Sequence, residues 1–187
     1  YRDPRNPPAY ERVLAQLGKE RIYQTTGIQF MPLNTLYSLY AQQMADPGAL
    51  EAADQLLFMP DLFHFWLSGN RVVEATNAST SQIVDCHTGD WAREMVSELG
   101  IPTDILGPIS PPGTEVGKLR AKLAVETGLP ANLRVVAPAT HDTASAVAAV
   151  PAGQEDSPLF SQSGEKGTVP SSGEKGTAPW CYLSSGT

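Results

Sequence analysis

An α/β domain is predicted, on three observations. Arg134–Ala137 is a short apolar run with β-branched residues, closed by Pro138, and the Ala-rich segment Thr143–Ala149 follows with Val147 on one face. That order is strand, turn, helix. Further segments repeat apolar residues at helical spacing and stop at glycine or proline. Between them lie apolar runs too short for helices, and the composition, 41% hydrophobic and 18% charged, is that of a globular chain. At 187 residues the chain is long enough to bury one good core.

Taken in order, Tyr1–Pro8 carries Pro4, Pro7 and Pro8 and is expected to be a loop or a strand end. Tyr10, Val13, Leu14 and Leu17 have helical spacing, so Ala9–Leu17 is a helix with Gly18 as its stop. Lys19–Thr26 is a second short helix ended by Gly27. Ile28–Leu33 is apolar, interrupted by Pro32, and Gln29 is its one polar side chain. Gln29 is either a satisfied loop amide or a hydrogen-bonding partner for a ligand hydroxyl. Asn34 caps a helix lined by Leu36, Tyr37, Leu39 and Tyr40, which Asp46-Pro47 ends.

Ala49–Ala53 is a helical turn, and Gln55–Met59 a buried strand or extended segment. Pro60-Asp61 opens a helix in which Asp61 meets the favourable end of the dipole. Leu62, Phe63, Phe65, Trp66 and Leu67 on that helix are expected in the core. Asn77–Gln82, small and polar, reads as a turn or helix start. Trp91–Leu99 is amphipathic, with Met95, Val96 and Leu99 inward. Ile101–Gly113 holds four prolines, Pro102, Pro108, Pro111 and Pro112, and must be extended and irregular. Leu119–Thr127 is a helix ended by Gly128, and the strand-turn-helix follows.

Pro151–Pro179 differs in kind. It is rich in Gly, Ser, Pro and Lys, and SGEKGT occurs at Ser163–Thr168 and again at Ser172–Thr177. A flexible insert is expected at 151–179. Its Lys-Gly-Thr order, with no strand ahead, does not meet the requirements of a phosphate-binding P-loop. Trp180–Leu183 is a strand pattern, and Ser184–Thr187 a small-residue turn whose amides can hold phosphate oxygens. The chain opens on Tyr1 rather than Met and stops directly after that strand, so a piece of a longer protein is expected.

The net charge of −7 argues against a nucleic-acid partner. Cys86 and Cys181 are far apart, and His64, His87 and His141 are scattered, so no metal site is read from them. With no signal peptide, a reduced cytoplasmic protein with buried thiols is expected. No apolar run approaches the roughly 20 residues of a membrane span.

The chemistry concentrates at Thr140–Thr143. Strand ends that turn into helices hold ligands in α/β proteins, and His141 beside Asp142 offers proton-transfer groups. Either Thr140 or Asp142 can be the N-cap of the following helix. A hydrolase using Ser145, His141 and Asp142 is a rival class, disfavoured because residues crowded into one turn cannot line up as nucleophile, base and orienter and no Gly-x-Ser-x-Gly elbow occurs.

Six stretches carry a resemblance: YRDPR at Tyr1–Arg5, GIQF at Gly27–Phe30, FMPD at Phe58–Asp61, NASTSQ at Asn77–Gln82, ATHDTASAV at Ala139–Val147 and YLSSGT at Tyr182–Thr187. Their order resembles that of the FGGY family of carbohydrate kinases. The resemblance implies the N-terminal domain of an actin-like, ribonuclease-H-like fold, a mixed sheet with flanking helices, truncated here at both ends. It implies residues 1–150 as the incomplete sugar-binding domain and 180–187 as the start of a second phosphate-binding strand-turn. It implies ATP with Mg2+ as cofactors and a ketose as substrate, L-rhamnulose going to L-rhamnulose 1-phosphate, with xylulose, fuculose or glycerol as alternatives. Asp142 is then the general base, His141 and Thr143 hold sugar hydroxyls, Arg2 and Asp3 border the sugar pocket, and Gly186 and Thr187 contact phosphate. The family's first phosphate turn and its second domain have no counterpart in the sequence, so the chain alone is expected to be inactive. A non-catalytic actin-like binding module is the rival reading, and Asp142 argues against it.

Overall fold

Pro7 and Pro8 open a helix where a loop was expected. The missing proline N–H groups cost nothing in a first turn, and the fixed φ suits it. In the computed structural model, which describes residues 3–149, helix α1 therefore spans Asn6–Leu17. Val13 and Leu17 are buried along it. Helix α2, Lys19–Thr26, follows Gly18 directly and ends at Gly27, whose left-handed φ of 67° a side chain would strain. Helix α3, Thr35–Ala45, buries Leu36, Tyr37, Leu39 and Tyr40 as their spacing predicts. It packs on α1, with the Tyr10 and Tyr37 rings edge to face at 4.8 Å. Helix α4, Pro47–Glu51, turns the chain away.

Helix α5, Met59–Ser68, departs from expectation. Its inward residues are Asp61 and His64, with Leu62 and Phe65 half-buried and Phe63, Trp66 and Leu67 exposed. Apolar content does not set this face. The Asp61 carboxylate accepts the Glu74 amide at 3.1 Å, and that polar anchor turns the aromatics outward.

Strand β1, Val73–Glu74, pairs in parallel with β2, Ile109–Ser110, across the proline-rich segment. Helix α6, Ala75–Ala78, and a 3-10 turn, Ser79–Ser81, leave β1. Helix α7 covers only Arg93–Ser97 of the expected Trp91–Leu99, because Trp91 pairs with Val84 as an isolated bridge. Met95, Val96 and Leu99 are nonetheless buried. Strand β3, Thr114–Lys118, was not expected, and it pairs antiparallel with β4, Arg134–Ala137, through a bulge between Glu115 and Gly117. Helix α8, Ala121–Thr127, ends at left-handed Gly128. Helix α5 packs on β3 and β4.

The main core joins α1, α3 and α4 to Val73, Ile83, Val96, Ile101 and Ile105, and a small second cluster holds Val116, Val135 and Ala137. The chain divides into two compact units, Tyr1–His141 and Asp142–Thr187. Of the second, the described part is helix α9, Asp142–Ala148. The insert expected at 151–179, the strand at Trp180, and Arg2, Gly186 and Thr187 lie outside the described residues. No described helix is long and apolar enough to cross a membrane.

Candidate functional site

Strand β4 delivers the chain to Thr140 and His141, and a carboxylate from β1 receives it there. The Glu74 side chain closes the start of α6, taking the Thr76 amide at 2.8 Å, the Asn77 amide at 3.3 Å and the Thr76 hydroxyl at 2.6 Å. The same carboxylate accepts the Thr140 amide at 3.0 Å and the Thr140 hydroxyl at 2.7 Å. The Thr76 oxygen in turn accepts the His141 amide at 3.2 Å. Glu74 is wholly buried. Burial pushes its carboxyl pKa up, but the hydrogen bonds from Thr76 and Thr140 outweigh that and hold it below the usual range. It is therefore a buried anion whose charge is met by O–H and N–H donors.

Asp61 stands behind Glu74. One of its oxygens takes the Glu74 amide, and the other takes the Phe58 amide at 3.3 Å, closing the start of α5. Burial pushes the Asp61 carboxyl up to about 6, the two amides oppose the rise, and the nearby Glu74 charge adds to it. His64 Nδ1 lies 3.9 Å from Asp61 Oδ1. Burial lowers the His64 pKa, so its ring is neutral near pH 7.

The Thr140 hydroxyl donates to Glu74, and α9 begins two residues later at Asp142. His141 and Thr143 are half-buried and Asp142 is exposed, not walled off beneath apolar atoms. In the second unit, Asp142 is the first residue of α9 and its Oδ1 accepts the Thr143 amide at 2.7 Å. Asp3 is clasped by the Arg5 guanidinium at 2.7 Å, and this hydrogen bonding brings its carboxyl down to about 2. The Gln29 side chain is exposed, while its carbonyl accepts the Asn34 amide group at 2.9 Å. Asn34 Nδ2 also donates to Gln82 Oε1 at 3.0 Å, and Gln82 Nε2 donates to the Ile28 carbonyl at 3.1 Å. Two of the sequence motifs, at Gly27–Phe30 and Asn77–Gln82, are thus fastened to each other.

Sequence reasoning missed Glu74. The available signal was a carboxylate directly before the small polar run Ala75–Ser79, the position of a helix cap. Cys86, expected to be buried, is exposed. It stands with Asp85 and His87 so that their ligand-type atoms lie within 4.8 Å of one another. Asp85 Oδ1 there accepts the His87 amide at 2.8 Å, the local bonding of a turn.

Residues 1–149 match the N-terminal domain of the FGGY family of carbohydrate kinases. The chain is 42% identical over 164 residues to a rhamnulokinase of Oceanobacillus iheyensis, covering 88% of this chain and 34% of that protein. It is 38% identical over 187 residues to a rhamnulokinase of Bacillus subtilis, covering 100% of this chain and 33% of that one. The chain thus spans about a third of the length of the relatives it matches. Among solved structures it resembles a ligand-bound xylulose kinase from Lactobacillus acidophilus, with TM-score 0.66 and 18% identity over 73% of this chain and 28% of that one. It resembles a xylulose kinase from Rhodospirillum rubrum at the same TM-score of 0.66, with 24% identity and the same coverage. These likenesses give it the fold of the sugar kinases, and with the match over residues 1–149 the chain belongs to the FGGY family of carbohydrate kinases.

Proposed function

We propose that this chain is the N-terminal, sugar-binding part of a kinase that transfers the γ-phosphoryl group of ATP to a ketose. The sugar is L-rhamnulose and the product L-rhamnulose 1-phosphate, a choice supported by relatives of 38–44% identity that bear the name rhamnulokinase. ATP enters as its Mg2+ complex, so the ion is part of the substrate and supplies charge neutralisation on the phosphates.

The observation that carries the reading is the exposed Asp142 carboxylate in the His141-Asp142-Thr143 step, which follows directly on the turn fastened by Glu74. A primary hydroxyl attacking phosphorus must lose its proton, and a carboxylate within hydrogen-bond reach accepts it. Asp142 is that base. His141 and Thr143 hold neighbouring sugar hydroxyls, with Arg2, Asp3 and Gln29 bordering the sugar. Gly186 and Thr187 are the residues assigned to the phosphates of ATP. The nucleotide domain lies in the remainder of the protein, so the 187 residues alone do not turn over. The enzyme works in the cytoplasm, where ATP is made available to it.

The test is Asp142→Asn in the full-length parent, assayed with MgATP against L-rhamnulose, xylulose, fuculose and glycerol. Phosphorylation is abolished while sugar binding, read by calorimetry, is retained. An unchanged rate refutes the base and favours a non-catalytic module. A preference for another sugar corrects the substrate alone.

A further inference from the structure

Glu74 does more than a helix cap requires. Capping α6 needs one acceptor for the Thr76 and Asn77 amides. The Glu74 carboxylate meets that need and also reaches Thr140, 66 residues along the chain, through both amide and hydroxyl. Thr76, its local partner, extends the same hold to the His141 amide. The residues so fixed are the two that precede Asp142. The end of β4 is otherwise tied to the rest of its unit through β3 and α5. Every group bonded to the Glu74 carboxylate is a donor, and the side chain is fully buried, so its charge and its length are both used. Asp61 fixes the backbone of Glu74 from behind, which leaves the carboxylate little freedom to follow the turn if the turn moves.

We infer that Glu74 is a positioning residue for phosphoryl transfer: by clamping Thr140 and, through Thr76, His141, it fixes the point from which the proposed base departs. This rests on the assignment of Asp142. A general base is sensitive to placement, since a misplacement of about 1 Å costs on the order of a hundredfold in rate.

Aspartate at position 74 separates the clamp from the cap. It is a good N-cap residue, but it is one methylene too short to keep both the α6 amides and Thr140. Full-length parent carrying Glu74→Asp is therefore measured for steady-state kinetics and for amide hydrogen exchange. Exchange at Thr140 and His141 rises about tenfold, the loss of roughly one net hydrogen bond, while Thr76 and Asn77 remain protected. The kcat falls about a hundredfold with KM for ATP unchanged. Unchanged exchange at Thr140 and His141 overturns the clamp. Raised exchange with wild-type kcat overturns the positioning role. Should Glu74→Asp fail to fold, Thr140→Val, which leaves the α6 cap intact and removes the hydroxyl half of the clamp, is measured for the same kinetics: a fall in kcat with KM for ATP unchanged supports the positioning role, and a wild-type kcat overturns it. If Asp142→Asn keeps full activity, it is the base assignment that fails, and the exchange measurement still reports on the clamp.

Discussion

Glu74 Oε2 accepts both the amide and the hydroxyl of Thr140, at 3.0 and 2.7 Å, so a two-residue strand near the middle of the chain holds the end of β4. Thr140→Val keeps the shape of the side chain and removes one donor from a buried anion. The expected cost is about 2 kcal/mol, the range for a hydrogen bond to a charged group, read from urea denaturation. Thr140→Ser restores the donor and lies within about 0.5 kcal/mol of the parent. In a Glu74→Asp background the valine substitution costs little, because the bond is already gone. Equal losses in both backgrounds would show that the two residues are not coupled.

Asp61 gives the fold a pH dependence of unusual sign. Its folded pKa is raised by burial to about 6, against the ordinary aspartate value of 3.8 in the unfolded chain. Between those values the native state holds a proton that the unfolded state has released, so stability falls as pH rises through the window, by on the order of 3 kcal/mol. Glu74 acts in the opposite sense. Its pKa is lowered, so its contribution is present above the usual carboxylate range and is lost as pH falls through the folded value. The lowered His64 pKa likewise removes stability as pH falls below 6.5. Asp61→Asn deletes only the first effect. It loses the bond to the Phe58 amide, yet gains stability relative to the parent as pH goes from 4 to 7.5. Urea midpoints across that range check it; a difference between variant and parent that is constant with pH rules the effect out.

Asn34 tests the second fastening. Its amide group faces two oxygens, the Gln82 side-chain carbonyl and the Gln29 main-chain carbonyl, and both Asn34 and Gln82 are buried. Gln82 itself sits at φ 64°, a left-handed conformation that a non-glycine residue holds only against its neighbours' bonds. Asn34→Ala leaves these acceptors unmet and costs about 2 kcal/mol. Asn34→Asp, though isosteric, points an acceptor at acceptors and costs at least as much. The Gly27–Leu33 loop becomes faster to cleave by protease in both. Thermal melts of the pair decide the point, and a neutral Asn34→Asp is the result that defeats it.

Several of these elements can be read from local chemistry. Gly27 and Gly128 end α2 and α8 because glycine takes a left-handed cap freely, and the Val135-Val136 run declares β4. Strand β3 cannot be read so: Thr114 and Val116 are followed by Gly117, with no apolar run, and the pairing partner arrives only with Arg134–Ala137. The His141-Asp142-Thr143 turn is visible as strand, turn, helix. Its clamp is not, because Glu74 gains meaning from Thr140, a contact across 66 residues. The face of α5 fails for a related reason. Hydrophobicity puts Phe63 and Trp66 inside, whereas a hydrogen bond from Glu74 to Asp61 puts them outside.

That outward face of α5 carries its own prediction. Met59, Phe63 and Trp66 recur at i, i+4 and i+7 and are 63%, 53% and 48% exposed, with the Phe63 and Trp66 rings edge to face at 5.2 Å. An apolar helix stripe open to water binds hydrophobic dyes and promotes self-association. The 187-residue chain is therefore expected to enhance the fluorescence of an anilinonaphthalene dye, and the double variant Phe63→Lys, Trp66→Lys to lose most of that signal. Because both rings already meet solvent, the double variant changes stability by no more than about 1 kcal/mol. Phe65→Lys is the contrast. Phe65 is half-buried and lies 5.6 Å from the Arg71 guanidinium, so a lysine there loses packing and brings two cations together. Its cost exceeds that of the double variant. If Phe63→Lys, Trp66→Lys instead destabilises the chain by several kcal/mol, the stripe is packed in solution and the polar anchor at Asp61 does not govern the orientation of α5.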